Sequence, residues 1–360
     1  MKELYLKDLQ PGMMIARDVY NPNNYRIMLQ QGSILTETSI AHLESHGIFK
    51  VFVEDKKVET KIEGMDAPEE TYSEKLKNQP DFLAFKAAYE DCVEVFQERV
   101  ESSLEDPKAL RLDELKDSVI KIIEMCAVGN GVLSMMMNMR EYDDCVFAHS
   151  VNVALLCSLM SKWLRYDRAK TETATMCGLL HDIGKLRMPH ELLNQKTPLT
   201  SAELIRLKKH PIEGYELLKS IEVDAHVRNA ALMHHERIDG SGYPLHLSGV
   251  QIDEFARMVA IADVFDAMTS ARPNRKPISP FKAMERLEQD GYDKYDVEYL
   301  LMFLESTSES FLQNSCVLSD GRIGDIVFIN RDRVSRPIVQ TSEGYVNLAE
   351  QPDLFVEKLI

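Results

Sequence analysis

The feature that most restricts this chain is the pentad His181-Asp182-Ile183-Gly184-Lys185, which directly follows the apolar run Met176-Cys177-Gly178-Leu179-Leu180. The run reads as the end of a buried helix, so an imidazole and a carboxylate enter the interior side by side. An isolated buried charge costs several kcal/mol, roughly, or shifts its pKa to avoid ionising, so a fold that buries both groups must pair them or give them something to bind. A metal ion is the obvious partner. Lys185 lies four residues beyond His181, on nearly the same face if the helix continues, where an ammonium could meet the anionic end of whatever the metal holds. The pentad therefore predicts metal-assisted chemistry on a phosphate.

At 360 residues the chain is long enough for two or more domains. Residues 1–62 read as a small strand-rich N-terminal module, with Met13-Met14-Ile15-Ala16, Arg26-Ile27-Met28-Leu29 and Val51-Phe52-Val53 as short strands and Thr38 to His46 as one short helix. His42 and His46 are spaced to share a face of that helix, but no third ligand lies nearby. Residues 63–128 read as a polar linker followed by a helical hairpin, because Phe82, Phe85, Tyr89, Val93 and Phe96, then Leu115, Val119, Ile122 and Ile123, recur at helical spacing. Residues 129–315 are helical throughout. Residues 316–360 return to a strand pattern punctuated by Asp320-Gly321, Arg331-Asp332 and Glu343-Gly344 turns, and this extension can pair with the N-terminal strands or pack on the helices. The expected fold class is mainly α: an all-helical bundle with small strand-rich segments at both ends.

Charge removes several function classes. The formal net charge is -16, which argues against binding nucleic-acid polymers or anionic membrane surfaces, since both need a basic face. No run of about 18 apolar residues occurs and no signal-peptide pattern opens the chain, so a cytoplasmic protein without membrane insertion is expected. The six cysteines form no Cys-x-x-Cys pair and mostly sit in apolar helical pattern, as reduced core residues do.

The helical segment places His149, His181, Asp182, His210, His234, His235 and Asp263 at element ends or on apolar faces. Any one of them alone reads as a satisfied core or surface residue. Seven between positions 149 and 263, with a His-Asp and a His-His doublet among them, read as a site. Nitrogen and carboxylate ligands without thiolate suit Mn, Fe, Ni or Zn better than Mg or Ca. A carboxylate such as Asp182 can bridge two metals, and two metals a few Å apart can hold a shared hydroxide as nucleophile for an in-line phosphoryl displacement. Such chemistry needs no side-chain nucleophile.

Here the sequence resembles a known family. His181-Asp182 with scattered histidines is the pattern of HD phosphohydrolases. The longer motifs resemble the HD-GYP subfamily: His181 to Lys185, His210-Pro211 followed by Gly214, His234-His235-Glu236 with Asp239-Gly240-Ser241-Gly242-Tyr243-Pro244, and Ala262-Asp263-Val264-Phe265-Asp266-Ala267-Met268-Thr269 through Arg272-Pro273. The resemblance covers about residues 130 to 315, and the N-terminal module is similar to a domain of unknown function often fused ahead of bacterial HD-GYP domains.

The resemblance implies an HD-type bundle that hydrolyses cyclic di-GMP to the linear dinucleotide pGpG, onward to GMP, or both. It implies two transition-metal ions, Fe or Mn first and Ni or Zn next, held by His149, His181, Asp182, His210, His234, His235 and Asp263 with Asp182 as the bridge. Lys185 matches a lysine that contacts the scissile phosphate, and Asp266, Arg272 and Arg275 match positions around the substrate. A protein partner docking at Gly242-Tyr243-Pro244 and a homodimer belong to the same expectations. The alternatives are a cyclic di-GMP receptor that relays occupancy with little turnover, and an HD phosphohydrolase for another cyclic dinucleotide. Two positions depart from the pattern. Cys145 stands where some relatives carry a glutamate for a third metal, which predicts two ions here, and Asn274 stands where the family often has an aromatic residue.

Overall fold

The computed structural model describes the chain apart from residues 1, 11–12, 21–26, 30, 32, 34, 36–38, 41–42, 44–47, 54–75, 78, 104–105, 126–130, 140–145, 194–196, 198 and 272–275. It divides into two units, Met1–Glu69 and Glu70–Ile360.

The first unit contains strands β1 (Lys2–Tyr5), β2 (Val19–Tyr20), β3 (Ile27–Leu29) and β4 (Lys50–Val53). β1 pairs antiparallel with β4, and β2 with β3. Val51 and Val53 point inward on either side of Phe52, as the two-residue period of a strand requires. They meet Leu9, Ile15, Val19, Leu29, Leu35 and Leu43 in a small core. The strand expected at Met13–Ala16 reduces to a bridge from Ile15 to Val53, and β1, whose Lys-Glu-Leu-Tyr sequence shows no apolar alternation, is set by its partner strand instead. Most of the helix expected at Thr38 to His46, with His42 and His46, lies outside the described residues.

The second unit opens with α1 (Pro80–Ser102), α2 (Leu112–Met125) and α3 (Gly131–Met139). Proline begins α1, where its missing N–H costs nothing. The buried stripe Phe82, Phe85, Tyr89, Cys92, Val93, Phe96 and Val100 follows the helical period and faces the core. Then come α4 (Val146–Trp163), α5 (Arg168–Leu180), the short α6 (His190–Leu193), α7 (Ser201–Leu207), α8 (His210–Lys219), α9 (Ala225–Met233), α10 (Glu254–Thr269), α11 (Pro280–Asp290) and α12 (Val297–Glu309).

α4 is the central post. Val151, Val153, Ala154, Leu155, Leu156, Cys157 and Met160 are all fully buried, so this helix is enclosed on every side. Each large aliphatic side chain so buried contributes about 1.5–3 kcal/mol, enough to carry a polar residue such as His149 at its start. Tyr89 of α1 donates to Asn152 of α4 at 2.9 Å and ties the first helix to this post. Gly178 lets α5 lie directly on α4: a Cβ there would stand 2.8 Å from the Ala154 Cα and the Val153 carbonyl. Helix starts are capped by side chains as the sequence invites, with Asp167, Asp224, Asp253, Ser279 and Asp296 each accepting from a backbone N–H of the first turn.

The chain ends in β5 (Ser315–Leu318), β6 (Ile323–Phe328), β7 (Ile338–Thr341), β8 (Gly344–Asn347) and β9 (Val356–Leu359), one antiparallel sheet in the order β8-β7-β6-β5-β9. This sheet packs on the helices of its own unit. Arg336 reaches Glu285 of α11 and the Leu354 carbonyl, and Ser335 pairs with Glu288. Strand β9 has no apolar alternation in its Val-Glu-Lys-Leu sequence, and pairing with β5 makes it a strand. Among the described residues no helix is long and apolar enough to cross a membrane, and the described cysteines, Cys92, Cys157, Cys177 and Cys316, are free and buried.

Candidate metal centre

The close approach of α5 to α4 brings the end of one helix beside the start of the other. α5 stops at Leu180, one residue before the pentad, rather than running on to Lys185 as its sequence suggests. Asp182 has non-helical angles, φ -99° and ψ 9°, and Ile183–Arg187 winds as a tight 3-10 turn. Lys185 therefore meets Asp182, three residues back, rather than His181, four back. The turn is wedged against α8, since a Cβ on Gly184 would stand 2.0 Å from the His210 carbonyl and 2.4 Å from the Gly214 nitrogen. That contact explains why His181-to-Lys185 and His210-to-Gly214 belong together although they are distant in sequence.

Four of the five histidines have their Nδ1 committed. His181 donates from Nδ1 to the Gly178 carbonyl at 2.7 Å, His210 to the Leu207 carbonyl at 2.7 Å, and His234 to the carbonyls of Ala230 and Ala231 at 3.1 and 3.0 Å. A carbonyl can only accept, so in these neutral rings the proton is on Nδ1 and the Nε2 lone pair is free. His149 instead places Nδ1 2.7 Å from Asp266 Oδ2 and Nε2 3.1 Å from Asp263 Oδ1. A carboxylate or carbonyl behind a ring is what orients a metal-ligating histidine.

The free nitrogens converge on Asp182. Its Oδ1 lies 3.2 Å from His210 Nε2 and 3.6 Å from His234 Nε2, while its Oδ2 lies 3.4 Å from His181 Nε2 and 3.7 Å from His149 Nε2. Two ligand groups result, both including Asp182: one with His210, His234 and His235, the other with His149 and His181. Asp263 stands beside the second group, with Oδ1 3.9 Å from His181 Nε2, and its Oδ2 is 3.9 Å from His235 Nδ1. The sequence-derived set of seven is thus brought together in one place.

This arrangement fits a divalent metal ion on three observations. His181 Nε2 and Asp182 Oδ1 are buried without a hydrogen-bond partner. His210 Nε2 and His234 Nε2 face one another at 3.2 Å, two acceptors when both Nδ1 atoms carry the proton, a contact that a cation shared by both would relieve. Three buried carboxylates, Asp182, Asp263 and Asp266, stand at the cluster, with the Lys185 ammonium the one Lys or Arg paired to them among the described residues.

The titration behaviour divides along the same line. Burial pushes the Asp182 carboxyl up, but the Lys185 ammonium and neighbouring imidazoles outweigh it and hold the group well below the usual carboxylate range. Burial likewise pushes the Asp263 carboxyl up, but the hydrogen bond and charge of His149 overcome it and leave the group well below that range. His149 is raised to about 9, because its bonds to Asp263 and Asp266 exceed the cost of burial. Burial lowers His234 to about 4 and, with the neighbouring His234, drives His235 well below the ordinary value for histidine.

Asp266, expected at the substrate, is fully buried behind His149. Its carboxylate stands 2.7 Å from His149 Nδ1, on the side of the ring away from Asp182. Arg272, Arg275, Cys145 and Asn274 lie outside the described residues. Sequence reasoning gave no role to Glu236, which is buried and accepts from the Leu245 and Leu247 backbone N–H groups at 2.6 and 3.0 Å, holding the Asp239-to-Pro244 loop against the His234-His235 doublet. A charged residue following two candidate ligands was the available signal.

A helical bundle gathering histidines and aspartates around one shared carboxylate defines a metal-binding, HD-type fold and site. Residues 132–299 match the family model described as an HD domain. Over those residues the chain is similar to the HD-domain family. It is 34% identical to a cyclic di-GMP phosphodiesterase, PA4108, of Pseudomonas aeruginosa, over 60% of this chain and 50% of that protein. It is 36% identical to the cyclic di-GMP phosphodiesterase response regulator RpfG of Xanthomonas campestris pv. campestris, over 51% of this chain and 49% of that one. With 3'3'-cGAMP-specific phosphodiesterase 1 of Vibrio cholerae it shares 38% identity over 40% of this chain and 33% of the relative. The chain thus spans half or less of the length of these curated relatives. The solved structure of Bd1817, an HDG"Y"P protein of Bdellovibrio bacteriovorus, shares the fold at a TM-score of 0.50 and 21% identity, covering 84% of this chain and 97% of that one.

Proposed function

We propose that this chain is a metal-dependent phosphodiesterase that hydrolyses cyclic di-GMP to pGpG, GMP or both, acting in the cytoplasm. The observation that carries the reading is Asp182, whose two carboxylate oxygens face two separate imidazole groups. A carboxylate so placed is suited to bridge two ions. Fe or Mn is the pair proposed, given donors that are all nitrogen and carboxylate oxygen. Ions held there would supply Lewis-acid charge and an activated water for in-line attack on a phosphodiester.

The side chains do the rest. His181, His210 and His234 present fixed Nε2 lone pairs because backbone carbonyls hold their Nδ1 protons. Lys185, one-fifth exposed and on Asp182, has its ammonium at the open side of the cluster, ready to take a phosphoryl oxygen. Asp266 keeps the His149 ring in place. Arg272 and Arg275 remain the proposed contacts to the dinucleotide.

Two relatives named as cyclic di-GMP phosphodiesterases support the substrate. A relative named for 3'3'-cGAMP supports a second reading, a mixed cyclic dinucleotide at the same site. A receptor without turnover gains nothing from a full ligand set with Lys185, which weighs against that alternative. The test is to load the chain with Mn or Fe under anaerobic conditions, count the metal, incubate with cyclic di-GMP and 3'3'-cGAMP, and separate the products. Two metal equivalents and conversion of cyclic di-GMP are expected. Tight binding without product would overturn the enzyme reading, and three equivalents would overturn the two-ion site.

A further inference from the structure

His235 differs from the other four histidines of the cluster in how it is held. Among the described residues its ring makes no hydrogen bond; the nearest carboxylate, Asp263 Oδ2, is 3.9 Å from Nδ1. It is also the most exposed of the five, with 19% of its side chain accessible, against 11% for His149 and 2% or less for the rest. A ring at the rim with no hydrogen bond to orient it is held by packing alone, and a loosely oriented imidazole is a weak ligand.

Three rings pack against it among the described residues: His234 with its centroid 4.1 Å away, His210 at 5.0 Å, and Tyr243, the one of the three that is not itself a candidate ligand. The His235 and Tyr243 rings stack with centroids 4.7 Å apart and planes 26° apart. The Tyr243 backbone N–H donates to the His235 carbonyl at 3.2 Å, so the same residue grips both the side chain and the main chain of the ligand. Tyr243 is itself held. Glu236 pins the loop just beyond it through Leu245 and Leu247, and the Lys208 ammonium sits 4.9 Å from the centre of the Tyr243 ring. Lys208 lies two residues before His210, another member of the same ligand group.

We propose that Tyr243 is the positioning residue of His235, its ring serving in place of the carbonyl or carboxylate that orients each other histidine, with Lys208 as its brace. The proposal rests on the two-ion reading given above and assigns Tyr243 to the ion held by Asp182, His210, His234 and His235. It requires the aromatic face and not the hydroxyl. Tyr243→Phe therefore leaves the site intact and Tyr243→Leu does not.

The experiment is a titration of the full chain, stripped with a chelator, with Mn²⁺, reading bound and free ion at each step. The wild-type chain takes two equivalents. In Tyr243→Leu one equivalent weakens by about 10- to 100-fold, the effect typical of removing the group behind a ligand, and the other is unchanged. The unchanged equivalent also shows that the variant is folded. Tyr243→Phe binds as the wild type, His235→Ala weakens the same equivalent as Tyr243→Leu, and Lys208→Met weakens it by roughly two- to five-fold, as loss of one cation–π contact would. Two wild-type equivalents with Tyr243→Leu unaffected, or with Tyr243→Phe as impaired as Tyr243→Leu, would overturn the positioning role alone. A wild-type chain that takes up fewer than two equivalents would remove the two-ion reading and this role with it.

Discussion

The two ligand groups that meet at Asp182 are built from the same residue types and behave as opposites. In the first group carboxylates surround His149: Asp263 and Asp266 both bond to it, and against the cost of burial its proton is held up to a pKa of about 9. In the second, backbone carbonyls stand behind His210 and His234, the three imidazoles crowd one another, and burial lowers His234 to about 4 although Asp182 Oδ1 lies 3.6 Å away. His149 in one half holds a proton, and His234 and His235 in the other shed theirs. The lesson is that ligand identity does not set the electrostatics of such a site; what stands behind each ligand does.

The strongest way to break the comparison is to remove what the halves share. Asp182→Ala should abolish uptake of both proposed ions and reduce the proposed cyclic di-GMP hydrolysis by on the order of a thousandfold or more, with the helical circular dichroism retained. A metal-replete, active Asp182→Ala protein would show that the two groups are independent.

The next effect separates the halves. Asp266→Ala should weaken the His149-side ion by about 10- to 100-fold and leave the other equivalent unmoved, with Asp266→Asn, which keeps an acceptor, less affected. If Asp266 instead contacted the dinucleotide, both variants would raise KM with metal uptake unchanged.

The smallest effect is on stability. In the chelator-treated chain, His234 stays unprotonated down to about pH 4 when folded but takes a proton near 6.5 when unfolded, so stability should rise as pH rises from 4 to 6.5. His149 contributes in the opposite sense. Its folded pKa is raised, so its contribution is full below 6.5 and is lost as pH climbs to about 9. A Tm maximum near pH 6.5 is expected, with limbs of a few degrees. His149→Ala should flatten the alkaline limb and His234→Ala part of the acid limb, the rest belonging to His235, whose value is also lowered; a monotonic profile through this range would contradict the assignment.

Much of the site was legible in the chain. Asp263 and His149 drew attention because polar residues on apolar faces of buried helices are costly, and the structure places them 3.1 Å apart. The roles were less legible than the residues. Asp266 reads from the motif as a substrate contact, yet only the packing of α10 beside α4 sets its carboxylate behind His149. Lys185 reads as an i, i+4 neighbour of His181, and the tight turn at Asp182 moves it onto Asp182 instead. Strands β1 and β9 carry no periodic signal, since their conformation comes from a partner strand.

By itself the sequence determined which residues could be ligands, because buried imidazole and carboxylate are intolerable without a partner and this holds whatever the fold. It determined the helical class as well, through apolar spacing along α1, α2 and α10. Only the tertiary structure decided how the ligands divide into two groups, which oxygen of Asp182 serves each, and which aromatic ring stands against His235. Those are matters of direction over a few Å, set by close contacts such as Gly178 on α4 and Gly184 on His210, and a linear pattern carries spacing but not direction.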